Sequence, residues 1–282
     1  MYQNSLWDRV LRTNQKALQS NAIRPFKTKL ERYLFEGYEY ELRSLIGKPR
    51  TQNSKIGPNK NPFLPWEREL EVAKVNNDHV LILNKYPVEL GHLLLITKYW
   101  APQNGWLTYK DWQALASVES KIDGFWFFNN SENSGASQPH RHLQLLYRKG
   151  TKYLFPRQRW FEDHLQDKNH SNSSLVRSVS VKRRYYYRDK SSADELDDLY
   201  KQVCEEMKIG NTIVNTKPSI SYNLIITSDW ISLIRRSKES YKGFNINALG
   251  FAGYFLITFN SDLSWLRRNS PLSILNEVVI PL

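Results

Sequence analysis

Two histidines and a glutamine, His140, His142 and Gln144, stand two residues apart in the run SGASQPHRHLQLL, residues 134–146. Leu143, Leu145 and Leu146 give this run the apolar content of a β-strand, and alternate residues of a strand project from the same face. A single strand histidine is ordinarily a hydrogen-bonded structural residue, whereas three polar side chains on one face are a site. The residues leading in, Glu132 to Gln138, are small, polar and averse to helix. Such a loop can bring hydroxyls and backbone N–H groups close to an anion, which makes Gly135, Ala136, Ser137 and Gln138 candidate phosphate contacts. Loop and strand together read as a phosphate site with a histidine pointed at it.

The elements that must position this strand follow from periodicity. Leu6, Val10, Leu11 and Leu18 predict an amphipathic helix over residues 5–20, and EGYEYELRSLI predicts a strand over 36–46. From there to Pro65 the Gly, Pro and Asn content is that of a long loop, and long ordered loops are usually functional. Apolar runs at 79–84 and 92–97 predict an antiparallel pair, Asp111 to Ile122 a helix, and Phe125 to Phe128 a short strand before the loop. Residues 149–190 are basic and Ser/Asn-rich, as expected of an insertion or linker. Ser192 is placed to cap a helix running to Met207 and carrying Cys204. Apolar runs at 222–227, 230–234 and 253–259 predict strands of a second half of the sheet. The expected organisation is therefore an α+β chain in three segments: residues 1–150 with the His motif, a basic stretch 151–190, and a C-terminal half 191–282.

The chain has 282 residues, enough for a substantial core, and a net charge of +12, which calls for a polyanionic partner. Much of the excess lies between Arg148 and Lys190, where Arg and Lys alternate with Trp, Tyr and Phe. That mixture suits a nucleic-acid surface and equally suits a solvated basic face beside a nucleotide pocket. No apolar run approaches the roughly 20 residues a membrane span needs. Cys204 is the one cysteine, so no disulfide forms within the chain and a cysteine-rich zinc site is excluded. The N-terminus shows no leader pattern, and a cytoplasmic setting is expected.

The string SGASQPHRHLQ resembles the nucleotidyltransferase branch of the histidine triad superfamily, in particular the dinucleoside tetraphosphate phosphorylases, also called ATP adenylyltransferases. Further segments are similar in the same order: KNPFLPWE (60–67), HVLILNKYPVELGHLLLITK (79–98), and in the C-terminal region SYNLIITSDW, RRSKE and NALGFAG. The resemblance implies an antiparallel sheet with flanking helices, like that of galactose-1-phosphate uridylyltransferases. It also implies phosphorolysis of diadenosine tetraphosphate to ATP and ADP, with His142 as the nucleophile at the α-phosphorus and His140 in support. Neutral imidazole is a competent nucleophile near its ordinary pKa of about 6.5, and a nitrogen–phosphorus bond is labile enough to be passed on.

Where the hydrolases of the superfamily carry a third histidine, this chain has Gln144. An amide can bond a phosphate oxygen but cannot supply a proton near neutral pH, which favours acceptors and leaving groups such as ATP, ADP and inorganic phosphate. By resemblance Asn84, Lys85, Asn129 and Asn223 bind nucleotide, Lys48 and Lys60 contact phosphate, and Arg236 and Lys238 bind the distal phosphates. The expected partners are dinucleoside polyphosphates, ATP, ADP and inorganic phosphate, with no membrane. No cofactor is firmly implied and no metal cage is visible; Mg2+ would come with the polyphosphate. Rival readings are a related transfer (ADP sulfurylase or uridylyl transfer), dinucleotide hydrolysis, and a nucleic-acid-binding protein without catalysis.

Overall fold

The computed structural model describes residues 5–47, 61–87, 89–148, 151–166, 172–185 and 191–282. Lys48 and Lys60 therefore lie outside the described residues. In chain order come α1 (Leu6–Gln19), β1 (Thr28–Phe35), β2 (Tyr38–Leu45), β3 (Glu71–Lys74), β4 (His79–Leu83), β5 (His92–Thr97), α2 (Tyr109–Glu119), β6 (Gly124–Asn129) and β7 (His142–Tyr147). They are followed by α3 (Gln158–Leu165), α4 (Ser174–Arg177), β8 (Val179–Arg183), α5 (Ser192–Glu206), β9 (Ser221–Ile226) and β10 (Trp230–Arg236). The chain ends with β11 (Ser240–Tyr241), β12 (Phe244–Asn245), α6 (Ala248–Phe251), β13 (Tyr254–Ile257), α7 (Leu263–Asn269) and α8 (Pro271–Glu277).

Eight strands form one antiparallel sheet in the order β3-β4-β5-β7-β6-β9-β10-β8, so the histidine strand β7 is near its centre. Alternation along β7 sends Leu143 and Leu145 to one face, where they join a core with Trp112 and Leu115 of α2 and Leu196 and Tyr200 of α5. His142, Gln144 and Leu146 take the other face. On that face Leu146 packs with Phe125, Phe127, Ile225 and Trp230, and beneath a small sheet β1-β2-β13 that contributes Tyr40, Leu42 and Phe255. The result is an α+β architecture in which a rigid central strand carries the candidate site.

Five strands, β1, β3, β8, β11 and β12, were not expected from periodicity. The burial of β1 runs without alternation and is mostly exposed, because it is the outer strand of the small sheet. β13 was expected in the second half of the large sheet; it pairs in parallel with β2 instead, burying Phe255 and Ile257 on one face only. Arg235 and Arg236, expected between strands, lie on β10 itself. The helix α5 is capped by Ser191, not Ser192: the Ser191 hydroxyl accepts from the Asp194 amide and the Asp194 carboxylate closes the capping box. Cys204 is buried on this helix, its thiol pushed up by desolvation, which makes it inert.

Within 151–190, expected as an insertion or linker, α3, α4 and β8 are folded, and β8 pairs with β10 through Val179 to Arg183. Among the described basic residues there, Arg157 and Arg184 are buried. Arg184 is buried, bonded to Glu119 at 2.7 and 2.9 Å, to the Thr227 carbonyl at 2.7 Å and to Glu195 at 3.3 Å. Lys182 pairs with Glu206. A guanidinium in that position ties α2, α5 and the sheet edge together and cannot present itself to a nucleic acid.

Candidate active site

His142 opens β7, and its backbone is held by a side chain: Gln103, buried, accepts the His142 N–H at 2.8 Å and donates to the carbonyls of Asn129 at 2.7 Å and His142 at 3.3 Å. The His142 ring stands with Nδ1 2.8 Å from the His140 carbonyl oxygen. A carbonyl can only accept, so Nδ1 carries the proton and the Nε2 lone pair is free to attack. Burial holds His142 neutral, with its pKa lowered to about 4, the bond to the His140 carbonyl opposing that shift. His142 is thus unprotonated across the neutral range.

His140 is oriented by the same logic. Its Nε2 lies 2.8 Å from the Thr97 carbonyl and 2.8 Å from the Thr97 hydroxyl, so Nε2 donates and Nδ1 accepts from the Asn61 amide at 2.8 Å. The Phe63 ring sits 5.4 Å from His142 and 5.7 Å from His140. Between the two histidines Arg141 points to the opposite face and pairs with buried Asp111 at 3.1 Å, which also meets His79 at 2.9 Å. Burial alone would raise the Asp111 carboxyl; His79 and Arg141 hold it below its ordinary value. This ion network pins the strand from behind.

A cavity of about 640 Å³ opens over His142 and Gln144, lined also by Asn61, Phe63, Trp66, Asn84, Lys85, Ser137 and Gln138. It is large enough for a nucleotide. Among the described residues the Ser137 hydroxyl and Gln138 amide have no protein partner and stand at the cavity wall. Lys85 reaches the cavity while pairing with Glu67. Seven sequence-predicted residues therefore meet at or directly beneath one cavity: His140, His142, Gln144, Asn84, Lys85, Ser137 and Gln138.

The others do not. Gly135 and Ala136 were expected to offer backbone N–H groups to phosphate, but these donate to the carbonyls of Glu132 at 2.8 Å and Ser131 at 2.9 Å. They shape the loop: Gly135 has φ +83°, and a Cβ there would lie 2.7 Å from the Cβ of Asn247. Asn129, Asn223 and Arg236 form a bonded cluster beneath the loop. The Asn223 amide donates to Asn129 Oδ1 and to the Ser134 carbonyl, both at 2.8 Å. Arg236 Nη1 meets Asn223 Oδ1 at 2.6 Å and the Ser134 carbonyl at 3.3 Å, its Nε meets the Val278 carbonyl at 3.0 Å, and its Nη2 meets those of Lys238 at 2.8 Å and Glu239 at 3.5 Å. All five guanidinium donors are engaged, so Arg236 braces the loop and has none left for a phosphate. Lys238 is exposed away from the cavity, 3.7 Å from Glu277 and over the Tyr241 ring.

Sequence reasoning missed Gln103, Thr97, Phe63, Asn61 and His92 as contributors. Asn61 and Phe63 lie in the KNPFLPWE segment and could have been chosen from it. Gln103 carries no signal, since only the fold brings it 39 positions along the chain to His142.

Residues 1–152 match the Ap4A phosphorylase N-terminal domain family, and residues 173–281 match the ATP adenylyltransferase C-terminal domain family. Among characterised proteins, the chain is 27% identical over 260 residues to diadenosine 5',5'''-P1,P4-tetraphosphate phosphorylase 2 of Saccharomyces cerevisiae, covering 81% of this chain and 78% of that protein. It is 28% identical over 267 residues to Protein APA1 of the same organism, covering 84% and 79%. The crystal structure of yeast Ap4A phosphorylase Apa2 superposes with a TM-score of 0.77 at 21% identity, covering 100% of this chain and 96% of that one. A neutral, correctly tautomerised histidine over a nucleotide-sized cavity is thus carried by a chain both of whose halves match one kind of protein, and the chain belongs to the Ap4A phosphorylase and ATP adenylyltransferase family.

Proposed function

We propose that this protein splits diadenosine tetraphosphate by phosphorolysis, releasing ATP and then ADP, through an adenylyl group carried on His142 Nε2. The family membership supports the reaction, and the His142 ring supports the route. Nε2 attacks the α-phosphorus, the bond from that phosphorus to the bridging oxygen breaks, and ATP leaves. An oxygen of inorganic phosphate then attacks the same phosphorus, the nitrogen–phosphorus bond breaks, and ADP departs with His142 restored. Two displacements replace one difficult one.

The observation that carries this reading is the His142 Nδ1 bond to the His140 carbonyl at 2.8 Å, which leaves Nε2 unprotonated toward the cavity. Gln144, Ser137 and Gln138 stand where they donate to the α-phosphate and its neighbours, and Lys85 adds positive charge. None of these side chains is a general base for water, whereas phosphate arrives as an anion and needs little such help. Asn84, Lys85, Ser137 and Gln138 are read as the nucleotide and phosphate contacts, and Mg2+, where used, enters on the polyphosphate oxygens. We assign the motif to the N-terminal half, residues 1–150, and the bracing of its loop to the C-terminal half, residues 191–282. These substrates and products fit a cytoplasmic setting, and no described helix is long and apolar enough to cross a membrane.

The test is incubation with dinucleotide labelled at the α-phosphate. The expected result is acid-labile label on the protein, and ATP and ADP in equal amounts that depend on added phosphate. Release of ATP and AMP at an undiminished rate without phosphate would make the protein a hydrolase.

A further inference from the structure

His92, on β5, lies buried beside the site but off the motif. Its Nε2 is 2.9 Å from Gln144 Oε1, and the Asn84 amide nitrogen is 3.1 Å from its Nδ1 and 3.4 Å from its Nε2. Asn84 Oδ1 in turn accepts the backbone N–H of Tyr86 at 3.0 Å. Only one member of this relay has a polarity that cannot be reversed, and that is the Tyr86 amide, which can only donate. From it the rest follows. Asn84 must turn its oxygen to Tyr86 and its NH2 to His92; the nearer ring nitrogen, Nδ1, accepts; and a neutral imidazole then carries its proton on Nε2 and donates it to Gln144 Oε1. Desolvation keeps the ring neutral, its pKa lowered to about 4.

The consequence falls on Gln144. With its oxygen engaged by His92, the Gln144 amide nitrogen has no partner among the described residues, and Gln144 lines the cavity. We propose that His92 and Asn84 are positioning residues that lock the Gln144 amide with its NH2 toward the polyphosphate, the lock being anchored by the backbone amide of Tyr86. A free glutamine amide has two nearly isosteric orientations, and the wrong one sets a carbonyl dipole against an anion. The relay removes that orientation before substrate arrives, so the donor needs no reorganisation when charge develops on the phosphate. It also accounts for a neutral histidine buried where the reaction uses no second base. This inference rests on the reading of Gln144 as a donor to the substrate phosphates.

The test is a double-mutant cycle on the full chain, following phosphate-dependent cleavage of diadenosine tetraphosphate. His92→Phe removes the donor to Gln144, and Gln144→Met removes the amide at nearly constant volume. Each single variant is expected to lose kcat/KM by roughly ten- to a hundredfold, the scale of one misdirected hydrogen bond to a charged group. The double variant should lose no more than Gln144→Met alone, and His92→Gln, whose amide can still donate, should recover most of the His92→Phe loss. His92→Leu replaces His92→Phe in the cycle if the latter does not fold. Losses that multiply in the double variant would show His92 acting independently of Gln144 and overturn the relay. A Gln144→Met protein with wild-type kcat/KM would instead overturn the role of Gln144 on which the relay depends.

Discussion

Two buried polar clusters flank the loop that precedes the His142 strand, and they are built from similar residues to opposite ends. One runs from Asn84 through His92 to Gln144 and stops at the cavity with two N–H donors unmatched among the described residues. The other, Arg236 with Asn223, closes on itself, on Asn129 Oδ1 and on the carbonyls of Ser134, Val278, Lys238 and Glu239. Asparagines and a cation near a phosphate loop look alike on paper. What separates a ligand contact from a brace is whether hydrogen-bonding capacity remains after the protein's own acceptors have been met.

The largest effect that sharpens this contrast belongs to the open side. His142→Ala is expected to cut turnover at least about a thousandfold, because it removes the proposed covalent catalyst and leaves ground-state contacts in place. Nucleotide affinity should stay close to wild type; a variant keeping more than about a tenth of the activity would move the nucleophile elsewhere. On the closed side, Arg236→Met should cost about 3–5 kcal/mol of folding stability, since it strands buried acceptors that the guanidinium had satisfied. Urea unfolding measures it, and AMP binding by the folded fraction should be unaltered. If stability holds while affinity falls, Arg236 touches phosphate and the distinction between the clusters collapses.

A smaller effect follows from the two histidines on the open side. Both His92 and His142 have pKa values lowered by burial to about 4, against an ordinary value of about 6.5 when unfolded. Between those limits the unfolded chain binds protons that the folded chain refuses, so stability declines as pH falls from 6.5 toward 4. Each contributes roughly 2 kcal/mol to the loss at pH 5. Unfolding midpoints at pH 7 and pH 5 check it: His92→Phe should lose some of the pH dependence, and an unchanged slope would mean that His92 is charged in the folded protein. Smallest is Ser137→Ala at the cavity wall, with about 1 kcal/mol of kcat/KM lost and stability unchanged. An accompanying drop in stability would assign that hydroxyl to the fold instead.

Local pattern carried much of the architecture. The two-residue spacing of His140, His142 and Gln144 between leucines puts His142 and Gln144 on one face of a strand wherever that strand lies, because side-chain alternation is a property of the extended backbone. α1, α2 and the β4–β5 pair were legible for the same reason: their apolar periods match a helix or a strand that buries one side. β1 was not, because an outer strand with little burial has no alternation to read, and β13 was assigned to the wrong sheet because a short apolar run does not name its neighbour.

At the site the division is sharper. Residue type and order placed Ser137 and Gln138 on a loop suited to an anion, and the resemblance they carry implied that His142 is the nucleophile candidate and that Gln144 replaces a possible proton donor. Only the tertiary structure decided which polar groups remain available. Asn61 reaches across 79 positions to set the His140 tautomer, and Arg236 reaches across 102 to the Ser134 carbonyl. A hydrogen bond engages a donor in one direction at about 3 Å, and which acceptor lies there is settled by how distant strands are stacked, a quantity with no local signature in the chain.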